Sequence, residues 1–210
     1  MGKGLPGALL GVAVGSLMLS ACSGSGSSSS FVPGATAAAT TQPAGAVNMP
    51  PFGKDVHVMM TGWLPGNATM ARAVIADKNY ELAYLYAEYR GGQDEGWQSY
   101  VSPAMQAGVR KALSARDVTT ESFQGTIRIF AMRQIRDPLS PADVDVSACL
   151  DNAQAVNTNL TTGAVLPGQS PSDSNYYRYT DELAPTASGG WQVVSSYSPI
   201  YYPQAKECKP

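Results

Sequence analysis

The spacing of apolar positions changes once along the chain, and the change divides it. Ala71, Ile75, Leu82, Leu85 and Tyr89 fall at intervals that share one helix face, with Lys78 as the break in that stripe. Asn67 stands at its start and Gly91-Gly92 at its end. Ser102-Pro103 has the form of an N-cap followed by proline at the first helical position. Met105, Val109 and Leu113 make the next helical face, which fades over 114–117. The period then becomes two. Over 126–135, Ile127, Ile129, Ala131 and Ile135 share one side of a strand, opposite Thr126, Arg128, Phe130, Met132 and Gln134. Val144, Val146 and Ala148 alternate with Asp143, Asp145 and Ser147, and the strand continues over 153–158 past a bulge near Asp151-Asn152. Thr162-Gly163 reads as a turn, and 168–174 as a loop. Segments 175–183 and 191–198 read as a hairpin around the turn-rich 185–190. Helices followed by antiparallel strands predict an α+β domain, with the helices on one face of a curved antiparallel sheet.

The first fifty residues follow neither period. Lys3 precedes an apolar stretch over 8–19 that is too short for a span of ~20 residues and has the anatomy of an export signal. It ends in Leu19-Ser20-Ala21-Cys22, which resembles the bacterial lipoprotein signal, an aliphatic residue and two small ones before a cysteine that is lipidated and becomes the new N-terminus. The resemblance implies a signal peptide over 1–21 and an anchor at Cys22. A diacylated cysteine carries two chains, enough for stable membrane attachment where one is marginal. An ordinary signal peptide with a chance cysteine is the rival. Residues 22–50 are mostly Ser, Gly, Ala, Thr and Pro, a composition that cannot bury enough apolar surface to order itself. They are expected to form a disordered tether with a reach of about 30 Å. Residues 51–66 are expected to be an irregular lead-in that packs through Val56, Val58, Met59, Met60 and Trp63 onto a domain spanning 67–210.

Charge narrows the function classes. Fourteen Lys and Arg against sixteen Asp and Glu leave a net charge of −2 with no basic stripe, which argues against a nucleic-acid partner. Eleven tyrosines are numerous for this length and suit solvated cores, pockets and interfaces, with a Tyr-rich surface typical of exported proteins as the equal alternative. Cys149 and Cys208 remain once Cys22 is assigned. Export favours a bond between them, which would pin the C-terminal tail to the sheet. Two free thiols or a metal pair are the rivals, and two cysteines with one histidine are too few for a closed zinc site without carboxylates. No metal site and no cofactor motif is read; Gly91-Gly92 and Gly189-Gly190 serve as a helix end and a turn rather than a phosphate loop.

The order of elements over 67–210 resembles the small exported proteins of high-GC Gram-positive bacteria with a nuclear-transport-factor-two-like cone. The carrying segments are "GWQSYVSPAMQAGVRKAL", "VDVSACLDN" and "GGWQVVSSYSP", with a cysteine near the C-terminus. The resemblance implies a helix pair on a bent sheet and also suggests the Cys149–Cys208 pairing. It implies a cavity between helices and sheet, which ketosteroid isomerases and polyketide cyclases use as an active site. Such chemistry needs a carboxylate base and a facing Tyr or acid. The available groups are Glu88, Asp94, Asp145 and Asp151, with Tyr84, Tyr100 or Tyr177 as donors, but none sits in a recognisable signature and no catalytic residue is assigned. Asp145 is expected to face solvent, and Arg128 and Arg133 to lie on opposite faces of one strand. His57 reads as a surface or packing residue. Tyr84, Trp97, Tyr100, Tyr177 and Trp191 are the candidate pocket-lining residues, with core packing as the alternative for both tryptophans. The functional expectation is a lipid-anchored extracytoplasmic domain that binds an envelope protein or wall component without catalysis, as comparable cones do in some penicillin-binding proteins and secretion scaffolds. The alternative is a cone-fold isomerase or cyclase-like enzyme, or a carrier of a small apolar ligand. A cavity with a buried carboxylate near tyrosine would favour the alternative; a cavity filled by the protein's own aromatic rings would favour the first.

Overall fold

The computed structural model describes residues 49–62, 64–114, 120–136, 143–168 and 172–209. Cys22, the signal peptide and nearly all of the tether lie outside them. The element order is β1 (Val56–Gly62), α1 (Ala68–Tyr89), a short 3₁₀ turn (Gly96–Tyr100), α2 (Pro103–Ser114), β2 (Glu121–Arg136), β3 (Val144–Asn159), β4 (Tyr176–Pro185), β5 (Trp191–Ser196) and β6 (Ile200–Tyr201). The α+β class and the two helices laid on a curved sheet match the sequence expectation. Two features differ. The sheet is mixed rather than antiparallel, because β1 pairs parallel with β2. Residues 56–62, expected as part of an irregular lead-in, supply that strand and form one edge of the order β1-β2-β3-β4-β5.

Local chemistry explains the helix ends. Asn67 Oδ1 accepts from the N–H groups of Thr69 and Met70 at 2.9 and 3.2 Å, relieving two orphan donors of α1. At the other end the Gly92 N–H donates to Ala87 O at 2.7 Å and the Gly91 N–H to Glu88 O at 3.0 Å. This is the paired closure that needs a left-handed residue, and Gly91 supplies it at φ 67°. Pro103 opens α2 as expected, but Ser102 Oγ is buried without a hydrogen-bond partner; only its carbonyl closes the first turn. Helix α1 buries residues on almost every side, and Lys78, read as the break in an apolar stripe, is itself buried.

The sheet bends where the ladder slips. Gly125 sits at φ 106° beside the shift between Thr126 and Arg128, and a Cβ there would stand 2.1 Å from Gln154 O. On β3 this shift falls between Asp151 and Gln154, the bulge expected near Asp151-Asn152. A second shift centres on Ala131 at φ 52°. It reverses the alternation expected for β2: Met132 is buried in the core while Ala131 is exposed. Past the bulge Arg133 is exposed and its charge acts on Glu207, while Arg128 lies over Phe130 and pairs with Asp151 at 3.4 Å. Both arginines therefore point away from the helices, not to opposite faces.

The inner face of the sheet carries Ile127, Ile129, Met132, Val144, Val146, Ala148, Leu150, Tyr179, Leu183 and Val193 against the helices. The outer face is covered in part by the C-terminal tail. Cys149 and Cys208 form a disulfide with Cα atoms 5.1 Å apart, packed with Ala205 and Phe130. Arg178, opposite Cys149 in the ladder, pairs with Glu207 at 2.6 Å beside the bond.

Candidate functional site

Two elements bring three acids together between helix and sheet. Asp77 and Glu81 are one turn apart on α1, and Asp181 lies on β4. Tyr177, Tyr179, Asp181 and Leu183 occupy alternate positions of β4, so one strand face presents two rings, a carboxyl and an aliphatic side chain in sequence. Asp77 is fully buried and Asp181 is 2% exposed. Ser196 enters from β5, opposite Asp181 in the ladder, and its hydroxyl donates to Asp181 Oδ1.

No N–H or hydroxyl reaches either oxygen of Asp77 or Oδ2 of Asp181. Three charged carboxylates would repel in this low dielectric, so protons are retained and the acids hydrogen-bond to one another. Burial, then the Asp181 charge, raises the Asp77 pKa well above the ordinary carboxyl range. Burial and Asp181 do the same to Glu81. Asp181 is raised by burial to about 6, held there by the hydrogen bonds it accepts from Ser196, Asp77 and Glu81. The trio therefore carries less charge than three ordinary carboxylates would, with ionisation centred on Asp181 and Asp77 and Glu81 on the donor side of the hydrogen bonds. Burial also raises the Tyr80 and Tyr179 phenols, so both stay neutral. Lys78, beside Asp77, is lowered by its own burial.

Asp181 and Glu81 line a cavity of about 140 Å³ between α1, α2 and the sheet. Its apolar wall includes Leu85, Met105, Val109, Phe123, Ile127 and Leu150, and its polar wall adds Glu88, Asn152, Asn157 and Ser196. The chain leaves the ladder at residues 197–199, between the positions where β5 and β6 pair with β4, and there Tyr197 and Pro199 complete the lining. Tyr197 is 48% exposed, so the cavity meets solvent on this side.

The sequence candidates divide. Tyr84, Tyr177 and Glu88 line the cavity. Trp97 is buried in the core, and Tyr100 and Trp191 pack against that core outside the lining. Asp94 accepts from the Gly96 N–H at 2.9 Å and shapes the 3₁₀ turn. Asp151 accepts from the Ala153 N–H at 3.0 Å and pairs with Arg128, holding the β3 bulge. Asp145 alternates with the inward Val144 and Val146 as expected; it is half-buried and stands outside the lining. His57 is exposed on β1. Asp77, Glu81 and Asp181 were not singled out by the pattern. The signal that finds the first two is a second helical stripe on α1, Asp77-Glu81-Tyr84-Glu88, running beside the apolar one; Asp181 shares the alternation of Tyr177 and Tyr179 on β4.

Among the described residues no group of three or more His, Cys, Asp and Glu side chains is placed to hold a metal ion. No family model and no curated protein matches the chain. Among solved structures it is similar to a ketosteroid isomerase-like protein from Erwinia carotovora atroseptica, with 16% identity over 59% of this chain and 91% of that one and a TM-score of 0.37. A likeness so loose assigns neither a ligand nor a reaction.

Proposed function

We propose that the protein is a lipid-anchored extracytoplasmic domain that binds a compact small molecule in the cavity over Asp181. The cavity carries the reading: an opening lined by a buried carboxylate and tyrosines is the arrangement that favours a ligand site over a purely structural core. Its size sets the ligand. A cavity of 140 Å³ matches one that holds a single benzene-sized ring, so a fused multi-ring skeleton does not fit without rearrangement. Anchoring rests on Leu19-Ser20-Ala21-Cys22, and the domain's partner in the envelope is the membrane itself through that lipid. A catalytic version of the same site is favoured by one observation, an Asp poised near pH 6 beside neutral carboxyl and phenol donors, which suits proton abstraction and return on a small carbonyl compound.

Ligand-observed NMR with compact monocyclic compounds, neutral and charged, tests the cavity. Val109→Phe, which fills it, is expected to abolish the signals. No binding by any member, or binding that survives Val109→Phe, sinks the reading. Loss of Cys22→Ala protein from the membrane fraction tests the anchor; an unchanged distribution refutes it.

A further inference from the structure

The charge inside the cavity is one-sided. Among the described residues that line it, Glu81, Glu88 and Asp181 are acids and none is Lys, Arg or His. Asp181 is almost fully buried and accepts only from Ser196 and the neighbouring acids, with no cation in the lining to balance its charge. A second, separate group is also waiting. Tyr179 Oη is buried with no hydrogen-bond partner, on a side chain only 7% exposed that lines the same space. A buried hydroxyl without a partner is costly, and a ligand that bonds to it removes the cost. Tyr80, Tyr84 and Tyr177 add three more rings to the lining.

Resting on the cavity reading above, we propose that the ligand is a small organic amine: its ammonium group sits between Asp181 and Tyr179, within reach of the tyrosine faces, and its hydrocarbon body lies against Leu85, Val109 and Ile127. An ammonium N–H donates to the Asp181 carboxylate and to the Tyr179 hydroxyl oxygen, giving the first a countercharge and the second the partner it lacks. Electron-rich ring faces attract a cation and give nothing to an anion. A carboxylate or phosphate ligand would meet Asp181 at contact distance with no positive side chain in the lining to offset it. The groups that set the local charge are Asp77, Lys78 and Glu81 on α1, Tyr179 on β4 and Ser196 on β5; α2 contributes only apolar side chains to the lining.

The test is calorimetric titration of the purified full chain at pH 7.5 with cyclohexylamine, cyclohexanol and cyclohexanecarboxylate, which share one ring and differ in charge. The amine is expected to bind at least tenfold tighter than the alcohol, and the carboxylate not at all. Asp181→Asn, nearly isosteric, is expected to bring the amine to the affinity of the alcohol, with circular dichroism showing the fold retained. Ser196→Ala serves as the milder variant and is expected to change the ratio less than threefold. Equal or tighter binding of the alcohol or the carboxylate overturns the amine assignment and leaves the cavity reading standing. An amine preference that survives Asp181→Asn also overturns it. Binding of none of the three overturns both.

Discussion

Replacing Asp181 by Asn should stabilise the protein at neutral pH although it alters the candidate site. Asp181 has a pKa of about 6 in the folded chain against 3.8 as an ordinary aspartate. For a carboxyl raised on folding, the unfolded chain loses its proton first. Stability is therefore greatest below the unfolded pKa, declines as pH rises through the window from about 4 to 6, and stays lower above it. The gap corresponds to about 3 kcal/mol that ionising Asp181 costs the folded state at pH 7.5. Asn at this position keeps the carbonyl that accepts from Ser196 and has no charge to desolvate. Urea unfolding at pH 4.0 and pH 7.5, for both proteins, isolates the term. Acids remote from the trio, such as Glu207, whose own backbone hydrogen bond holds its pKa down, tilt both curves alike and cancel in the difference. Asp77 and Glu81 are raised less once the Asp181 charge is gone, which adds to the variant's gain. Part of the cost is already present at pH 4.0, just above the unfolded pKa, so between pH 4.0 and 7.5 the variant should gain about 2 kcal/mol or more on the native protein. Parallel curves for the two proteins would refute the burial of an ionising carboxyl on β4.

Four further outcomes follow from other parts of the molecule. If the cavity holds an amine at Asp181, its affinity should fall severalfold between pH 7 and pH 5 as Asp181 takes up a proton, read by the same calorimetry; a flat profile contradicts it. Cys149→Ser with Cys208→Ser opens a loop of 59 residues and should lower stability by on the order of 4 kcal/mol in urea unfolding; a change below about 1 kcal/mol would place the stabilisation elsewhere. Gly125→Ala forces a Cβ against Gln154 O at a left-handed φ and should cost about 2 kcal/mol or more, seen as a lower thermal midpoint; a neutral effect would argue against the bulge. Val109→Phe should lose ligand binding at a cost of about 1–3 kcal/mol from overpacking, and no change in either quantity would mean that the cavity is already closed there.

Much of the architecture is legible in the change of period at residue 120, because amphipathic helices and half-buried strands write their spacing directly. Three local events are not. The turn of Ala131 into a left-handed conformation is invisible in an alternating run, yet it moves Met132 inward and both arginines outward. Strand β1 does alternate, with Val56, Val58 and Met60 toward the core and His57 and Met59 exposed, but the run is short, stands among prolines and glycines, and finds its parallel partner β2 only beyond both helices. Helix α1 is buried nearly all round, which erases the contrast that a single apolar stripe relies on. The same burial hides the acids. Asp77 and Glu81 read as solvated charges on an amphipathic helix, and only the arrival of Asp181 from about a hundred residues away makes them a proton-sharing trio. Tyr84 and Tyr177 are within reach of sequence reasoning because each repeats at the spacing of its own element, one on a helix and one on a strand.

The two edges of the sheet have opposite duties. The N-terminal segment joins the domain at β1, while the cavity meets solvent beside β5, four strand spacings or about 19 Å across the ladder. A label, tag or bead joined ahead of β1 is thus carried on the edge away from Tyr197 and Ser196, where it does not crowd that side of the cavity.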